Sequence, residues 1–213
     1  MPTYEISVRE AAQMADSVLD GEGVKALQAH LGELFEGHTA RTIVKASLNF
    51  DGISDILPGA ANEFVGLFSD IIRRDSDAPE RYVVVTRLSN PVRLAVRQSL
   101  ERSHRAVALV SGSGERLSCE CLGYRSIVAG AREVVLDYLL RSRGRFFSEE
   151  VVQEEEFQAA LRQRMKAGVN ATVPQLKGTL QKALKRLYDE GLLVWVEVTS
   201  NHGRYLHVAV YQD

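Results

Sequence analysis

The chain is poor in cysteine and proline, with two and five respectively among 213 residues, and holds a single tryptophan. Two cysteines cannot build a disulfide framework. Cys119 and Cys121 stand two apart in "RLSCECLG", where a strand places both on one face, and no His or Cys lies nearby at finger-like spacing. They read as small strand residues, and no metal site is expected. Apolar runs fall far short of the ~18 residues that cross a bilayer. The opening "MPTYEISVREAAQMAD" has no basic region leading into an apolar stretch, so a cytoplasmic protein is expected. Low-complexity tracts and internal repeats are absent as well.

What is present is an ordinary globular balance, 45% hydrophobic and 25% charged, which supplies packed cores and argues against extensive disorder. The length permits one large domain or two small ones. A net charge of −2 gives no global attraction for nucleic acid, yet the charge is unevenly spread. Between Phe157 and Arg204, eight Lys and Arg face only Asp189, Glu190 and Glu197. That stretch is locally basic.

Periodicity predicts alternating elements in the first half. "TYEISV" reads as a strand, "REAAQMADSVLD" and "GVKALQAHLGELFEG" as helices, and "ARTIVKASLNF" as a strand. "GAANEFVGLFSDIIRR" is an amphipathic helix, and the loop "RDSDAPE" leads to the strand "RYVVVTRL". "NPVRLAVRQSLERS" is a helix with Asn90 as its cap and Pro91 in the first turn. The strands "RAVALV" and "RLSCECLG" flank a turn-like "SGSGE". This order predicts an α/β or α+β layer with helices packed on a sheet.

A boundary is expected in "GYRSIVAG", dividing residues 1–123 from residues 131–213. Beyond it "AREVVLDYLLRSRG" opens a helical pattern. "RFFSEEV" reads as a short strand entering a turn, with Ser148 capping one continuous helix through "EEVVQEEEFQAALRQRM". The last helix starts at Val173-Pro174 and runs to Gly191. Val173, Leu176, Leu180, Ala183, Leu184 and Leu187 fall on one side of it, and Gln175, Gly178, Thr179, Lys182, Lys185 and Arg186 on the other. After Gly191 the pattern alternates through "VWVEV" and "RYLHVAVYQ" about a polar tip at Asn201-His202-Gly203, which predicts an antiparallel hairpin.

"VPQLKGTLQKALKRLYDEGLL" followed by "VWVEVTSNHGRYLHVAV" resembles the winged-helix family, over the chain from about Ala131 onward. In DNA-binding members the last helix enters the major groove and the hairpin follows the backbone. The resemblance therefore implies double-stranded DNA as partner, with Gln175, Thr179 and Lys182 as base-edge or phosphate contacts, Lys185, Arg186, His202 and Arg204 on phosphates, and Lys177 as a further DNA-binding residue. A plain solvated helix face has the same composition, and winged helices also serve as protein-interaction modules. The three carboxylates of "QEEEF" would repel a phosphate backbone.

"LNFDGI", "PGAANEFVGLF" and "RYVVVTRL" with "NPVRLAVRQSLE" look like the STAS-like family, relatives of anti-sigma-factor antagonists, over residues up to about Gly123. The resemblance implies a regulatory or interaction domain that docks through the helix beginning at Gly59, with Glu63 opposite its apolar stripe as the partner-binding residue. Where kinase-regulated antagonists carry a serine, this chain has Pro58-Gly59, with Ser54 and Ser69 displaced, so no phosphorylation switch is expected.

"SGSGERL" lacks the Lys-Ser/Thr of a phosphate-binding loop, and the five histidines pair with no nucleophile or metal set. No catalytic residue, cofactor or enzymatic activity is expected. The leading expectation is a DNA-binding transcriptional regulator with an N-terminal domain sensing a partner or ligand. The alternative is a protein-interaction adaptor of a partner-switching or defence-type assembly.

Overall fold

The computed structural model describes residues 2–38, 43–72, 80–111, 118–123, 130–141, 148–165, 170–189, 192–197 and 204–207. The chain is mixed α/β and divides into two compact units, Met1–Tyr124 and Arg125–Asp213. Residues 74–79 of the predicted loop "RDSDAPE", residues 112–115 of the "SGSGE" turn and the tip at Asn201-His202-Gly203 lie outside the described residues, while Glu80 and Ser111 belong to strands.

In the first unit the elements run β1 (Thr3–Ser7), α1 (Val8–Ala11), β2 (Val18–Leu19), α2 (Gly21–Glu36), β3 (Ile43–Asn49), β4 (Asp55–Ile56) and α3 (Pro58–Ile72). Then come β5 (Glu80–Thr86), α4 (Asn90–Arg102), β6 (Ala106–Ser111) and β7 (Ser118–Gly123). Five strands form one sheet in the order β1-β3-β5-β6-β7, parallel except for the last pair. The α3 and α4 segments are the crossovers that a parallel β3-β5-β6 arrangement requires. Alternation along the strands explains the core. Val44, Ala46 and Leu48 of β3, Val83 and Val85 of β5, and Val107 and Leu109 of β6 join Leu27, Leu31 and Phe35 of α2, Phe64 and Phe68 of α3, and Val96 and Leu100 of α4 in one buried cluster. Phe64 stands edge-on to both Phe50 and Phe68, at centroid distances of 5.3 and 4.9 Å. The residues between, Tyr82, Val84, Ala106 and Ala108, are buried too, which is why these strands read as nearly continuous apolar runs.

Gly123 has a φ of +116°, and a Cβ there would sit 2.4 Å from the Arg105 carbonyl oxygen. Only glycine lets β7 close against Ala106, its partner in the ladder.

Two expectations are corrected in this unit. The helix predicted over "REAAQMADSVLD" is only α1, because Gln13 turns left-handed at φ +53°. The Asp16 carboxylate then accepts the Val18 N–H at 3.0 Å, and Val18–Leu19 becomes a strand paired in parallel with β4. Tertiary pairing overrides helix propensity here. The cap of α4 is Ser89 rather than Asn90, with Pro91 in the first turn, and the Ser89 hydroxyl donates to the Ser54 carbonyl instead of the helix.

The second unit contains α5 (Ala131–Arg141), α6 (Ser148–Val151), α7 (Glu155–Arg164), α8 (Val173–Asp189) and the antiparallel pair β8 (Val194–Glu197) and β9 (Arg204–His207). α8 packs against α5, α6 and α7. Its buried face is Leu176, Leu180, Ala183, Leu184 and Leu187. Val173, expected in that stripe, is instead 39% exposed, although Ala171 and Leu176 on either side of it are buried.

The continuous helix expected from Ser148 is also corrected. Ser148 is the first residue of α6 rather than the cap of a long helix, and Val152–Glu154 interrupt it before α7. Gln153 and Glu154 N–H groups bond three residues back, to Glu150 and Val151, which tightens the chain into a turn. The turn buries both Val151 and Val152, and Tyr138 donates its hydroxyl to Glu154 Oε1 at 2.6 Å. Adjacent valines would diverge by about 100° on one straight helix. Of the strand expected in "RFFSEEV", residues 145–147 lie outside the described residues and the rest is helical.

Candidate functional site

In the second unit the site expected from the sequence centres on α8. The helix begins with Thr172 in the capping position, whose carbonyl accepts the Leu176 N–H at 3.0 Å. Gln175 Oε1 accepts from the Thr172 backbone N–H at 2.9 Å and from its hydroxyl at 3.3 Å. This is the reciprocal arm of a capping box. Gln175 is exposed, but its amide oxygen is already committed to the helix terminus.

Lys182 and Arg186 are exposed and have no ion-pair or hydrogen-bond partner among the described residues. They sit four apart, hence side by side on one helix face. Thr179 and Lys177 are half-buried at the margins of the same surface. A Cβ built on Gly178 would meet nothing within 4 Å, so the face is flat between Gln175 and Lys182. Lys185 is different, because its ammonium lies 2.8 Å from the Asp189 carboxylate in an exposed i,i+4 pair. Arg204 opens β9 opposite Glu197, and His202 lies outside the described residues.

The approach to α8 is held by Arg162, for which the sequence carries no signal, since its acceptor is a backbone carbonyl beyond the end of the helix. Its Nε donates to the Ala171 carbonyl at 3.3 Å and its Nη2 to Gln158 Oε1 at 3.0 Å. One guanidinium thus ties α7 to the residue before the cap of α8. The local excess of positive charge is smaller than the sequence count implies. Arg164 lies 3.4 Å from Glu133, and Glu154, Glu155 and Glu156 are exposed where α7 begins.

In the first unit, Glu63 is exposed on α3, as expected. Its carboxylate lies 3.0 Å from where a Cβ on Gly21 would stand, at the first turn of α2. An anion there is favoured by the unpaired N–H groups of a helix start. Gly59 and Gly66 would meet nothing within 4 Å with a Cβ added, leaving a shallow surface on either side of Glu63.

A second polar cluster gathers after the C-terminal ends of the parallel strands. Asp51 and Arg87 form an exposed ion pair at 3.3 Å, with Arg87 at φ +55°. Asn49 Oδ1 accepts the Asp51 N–H at 2.9 Å, and its Nδ2 donates to Glu5 at 3.1 Å. Ser17 and Ser54 hydroxyls meet at 2.7 Å. These contacts brace the loop from Phe50 to Leu57, and sequence order separates them too widely to be read in advance.

Among the described residues no three His, Cys, Asp or Glu converge as a metal site, and no helix is long and apolar enough to cross a membrane. No protein-family model, curated protein or solved structure matches the chain.

Proposed function

We propose that the chain is a DNA-binding transcriptional regulator, in which the second unit engages duplex DNA through α8 and the hairpin that follows it, and the first unit receives a protein partner. The observation that carries this reading is the division of α8 into two faces. One is entirely core, and the other sets exposed Lys182 and Arg186 beside the flat ground of Gly178. The long α8 followed by an antiparallel pair of strands supports this reading, since that pairing carries the sequence's resemblance to the winged-helix family. Lys182 and Arg186 then contact phosphates, and Thr179 faces the base edges. Gln175 serves the helix cap first, so it reads bases only by giving up that bond.

In the same reading the first unit is a STAS-like interaction module. Glu63 and the open surface around it are the docking element, and the sheet with its buried cluster is scaffold rather than chemistry.

The test is a titration of the full chain against random duplex DNA at several salt concentrations. Binding whose logarithm falls linearly with the logarithm of salt supports the proposal. Absence of binding even at low salt favours the adaptor reading. That alternative draws on Lys185 and Arg164 being paired internally and on the exposed carboxylates that begin α7.

A further inference from the structure

Among the described residues no strand pairs with the outer edge of β1. β1 is terminal in the sheet and pairs only with β3 among the described residues. The Lys45 N–H bonds to the Pro2 carbonyl at 3.0 Å, which fixes the phase of the ladder. In a parallel pair, backbone groups of alternate residues point to opposite sides. Pro2, Tyr4 and Ile6 therefore serve β3, and the N–H and C=O of Thr3 and Glu5 are directed outward.

Beside that edge lies a groove of about 410 Å³ between β1, α1 and α2. Ala26 and Ala29 of α2 line its far side, and their small side chains leave the space in front of them unfilled. Its ionisable lining groups are Glu5, Glu10, Glu33 and His30, with no Lys or Arg. Glu10 and Glu33 are exposed and have no ion-pair partner among the described residues.

We infer that this groove binds an extended, Lys- or Arg-bearing segment of a partner protein, which adds to β1 as a sixth strand with its basic side chains against Glu10 and Glu33. Main-chain hydrogen bonds to Thr3 and Glu5 supply the register, and the carboxylates supply the charge preference. An open edge flanked by a helix is the geometry that strand addition requires, and the acidic lining selects against acidic segments. The inference is independent of the DNA reading, since it involves only the first unit.

The test uses the full chain and three fluorescein-labelled heptapeptides, read by polarisation. One alternates Lys and Val, one alternates Glu and Val, and one is the Lys-Val peptide methylated at every backbone nitrogen. The Lys-Val peptide is expected to bind, and the acidic and methylated peptides to bind at least about tenfold more weakly. Glu10→Lys with Glu33→Lys should weaken the Lys-Val peptide at least about fivefold, with an unchanged circular dichroism spectrum. Amide exchange at Glu5 should slow only when that peptide is bound. Failure of the Lys-Val peptide to bind overturns the inference, as does equal binding of the methylated peptide. Unchanged exchange at Glu5 also overturns it, even where the double variant does not fold.

Discussion

Gln175 Oε1 accepts the Thr172 backbone N–H at 2.9 Å, so a residue proposed for the DNA-facing surface is also the lock on the N-terminus of α8. Gln175→Ala should therefore lower stability by about 0.5 to 1 kcal/mol, as lost capping interactions do. Thermal unfolding is expected to shift down by roughly 2 to 8 °C. Gln175→Glu keeps the acceptor and should restore most of that loss. A Gln175→Ala variant of unchanged stability would free the side chain for a purely functional role.

Lys182 and Arg186 lack internal partners among the described residues, so removing either should cost little in folding, within about 0.5 kcal/mol. On DNA, deleting one phosphate-binding side chain should reduce the salt slope of log K by about 0.9. Lys185→Ala gives a contrast. Its ammonium is held by Asp189, so its effect on the slope should be smaller than that of Lys182→Ala. Equal slopes for all three variants and the parent would remove α8 from the interface.

Glu63 has a structural position and a proposed docking role to separate. Its carboxylate lies at the first turn of α2, so Glu63→Lys places a cation there and should destabilise the first unit by about 0.3 to 1 kcal/mol. Weakened partner association in that variant would thus be ambiguous. Glu63→Gln removes the charge without reversing it and is the cleaner probe. Sedimentation of the partner complex should show weakening in both variants, larger for Glu63→Lys.

Leu184→Ala and Leu187→Ala should each cost about 2 to 5 kcal/mol, because both side chains are enclosed on the face that packs against α5, α6 and α7. Gly123→Ala should be comparably damaging in the first unit. It combines a positive φ with a clash against the Arg105 carbonyl, which together reach about 2 to 5 kcal/mol. Chemical denaturation measures both.

The long helices α2, α3, α4 and α8 were legible because each buries one face and shows its period over several turns. The strands β3, β5 and β6 were legible as apolar runs for the opposite reason, being buried on both sides. What escaped was set by distant partners. β2 exists because it pairs with β4, and nothing in "SVLD" alone favours a strand. The break between α6 and α7 depends on burying Val151 and Val152 together and on Tyr138 reaching Glu154. Among site residues the exposure of Lys182, Arg186 and Glu63 followed from the helical wheel. The Thr172–Gln175 capping box and the i,i+4 pair of Lys185 with Asp189 are local patterns that sorting the helix into two faces passed over, whereas the bond from Arg162 to the Ala171 carbonyl depended on a neighbour nine residues away.

Gly178 gives the prediction most able to separate function from folding. It lies within α8, and a Cβ there would meet nothing within 4 Å. Glycine inside a helix costs about 0.5 to 1 kcal/mol relative to alanine, because the unfolded chain loses more freedom. Nothing packed against it offsets that cost, so Gly178→Ala should raise thermal stability by this amount. If α8 lies in a groove with Gln175 and Lys182 on either side, the same methyl group stands between the helix backbone and the DNA and should weaken binding. Stabilisation with weaker binding identifies Gly178 as part of the DNA-facing surface. Stabilisation with unchanged binding places the DNA elsewhere, because a methyl group at the centre of a closely packed interface cannot be silent.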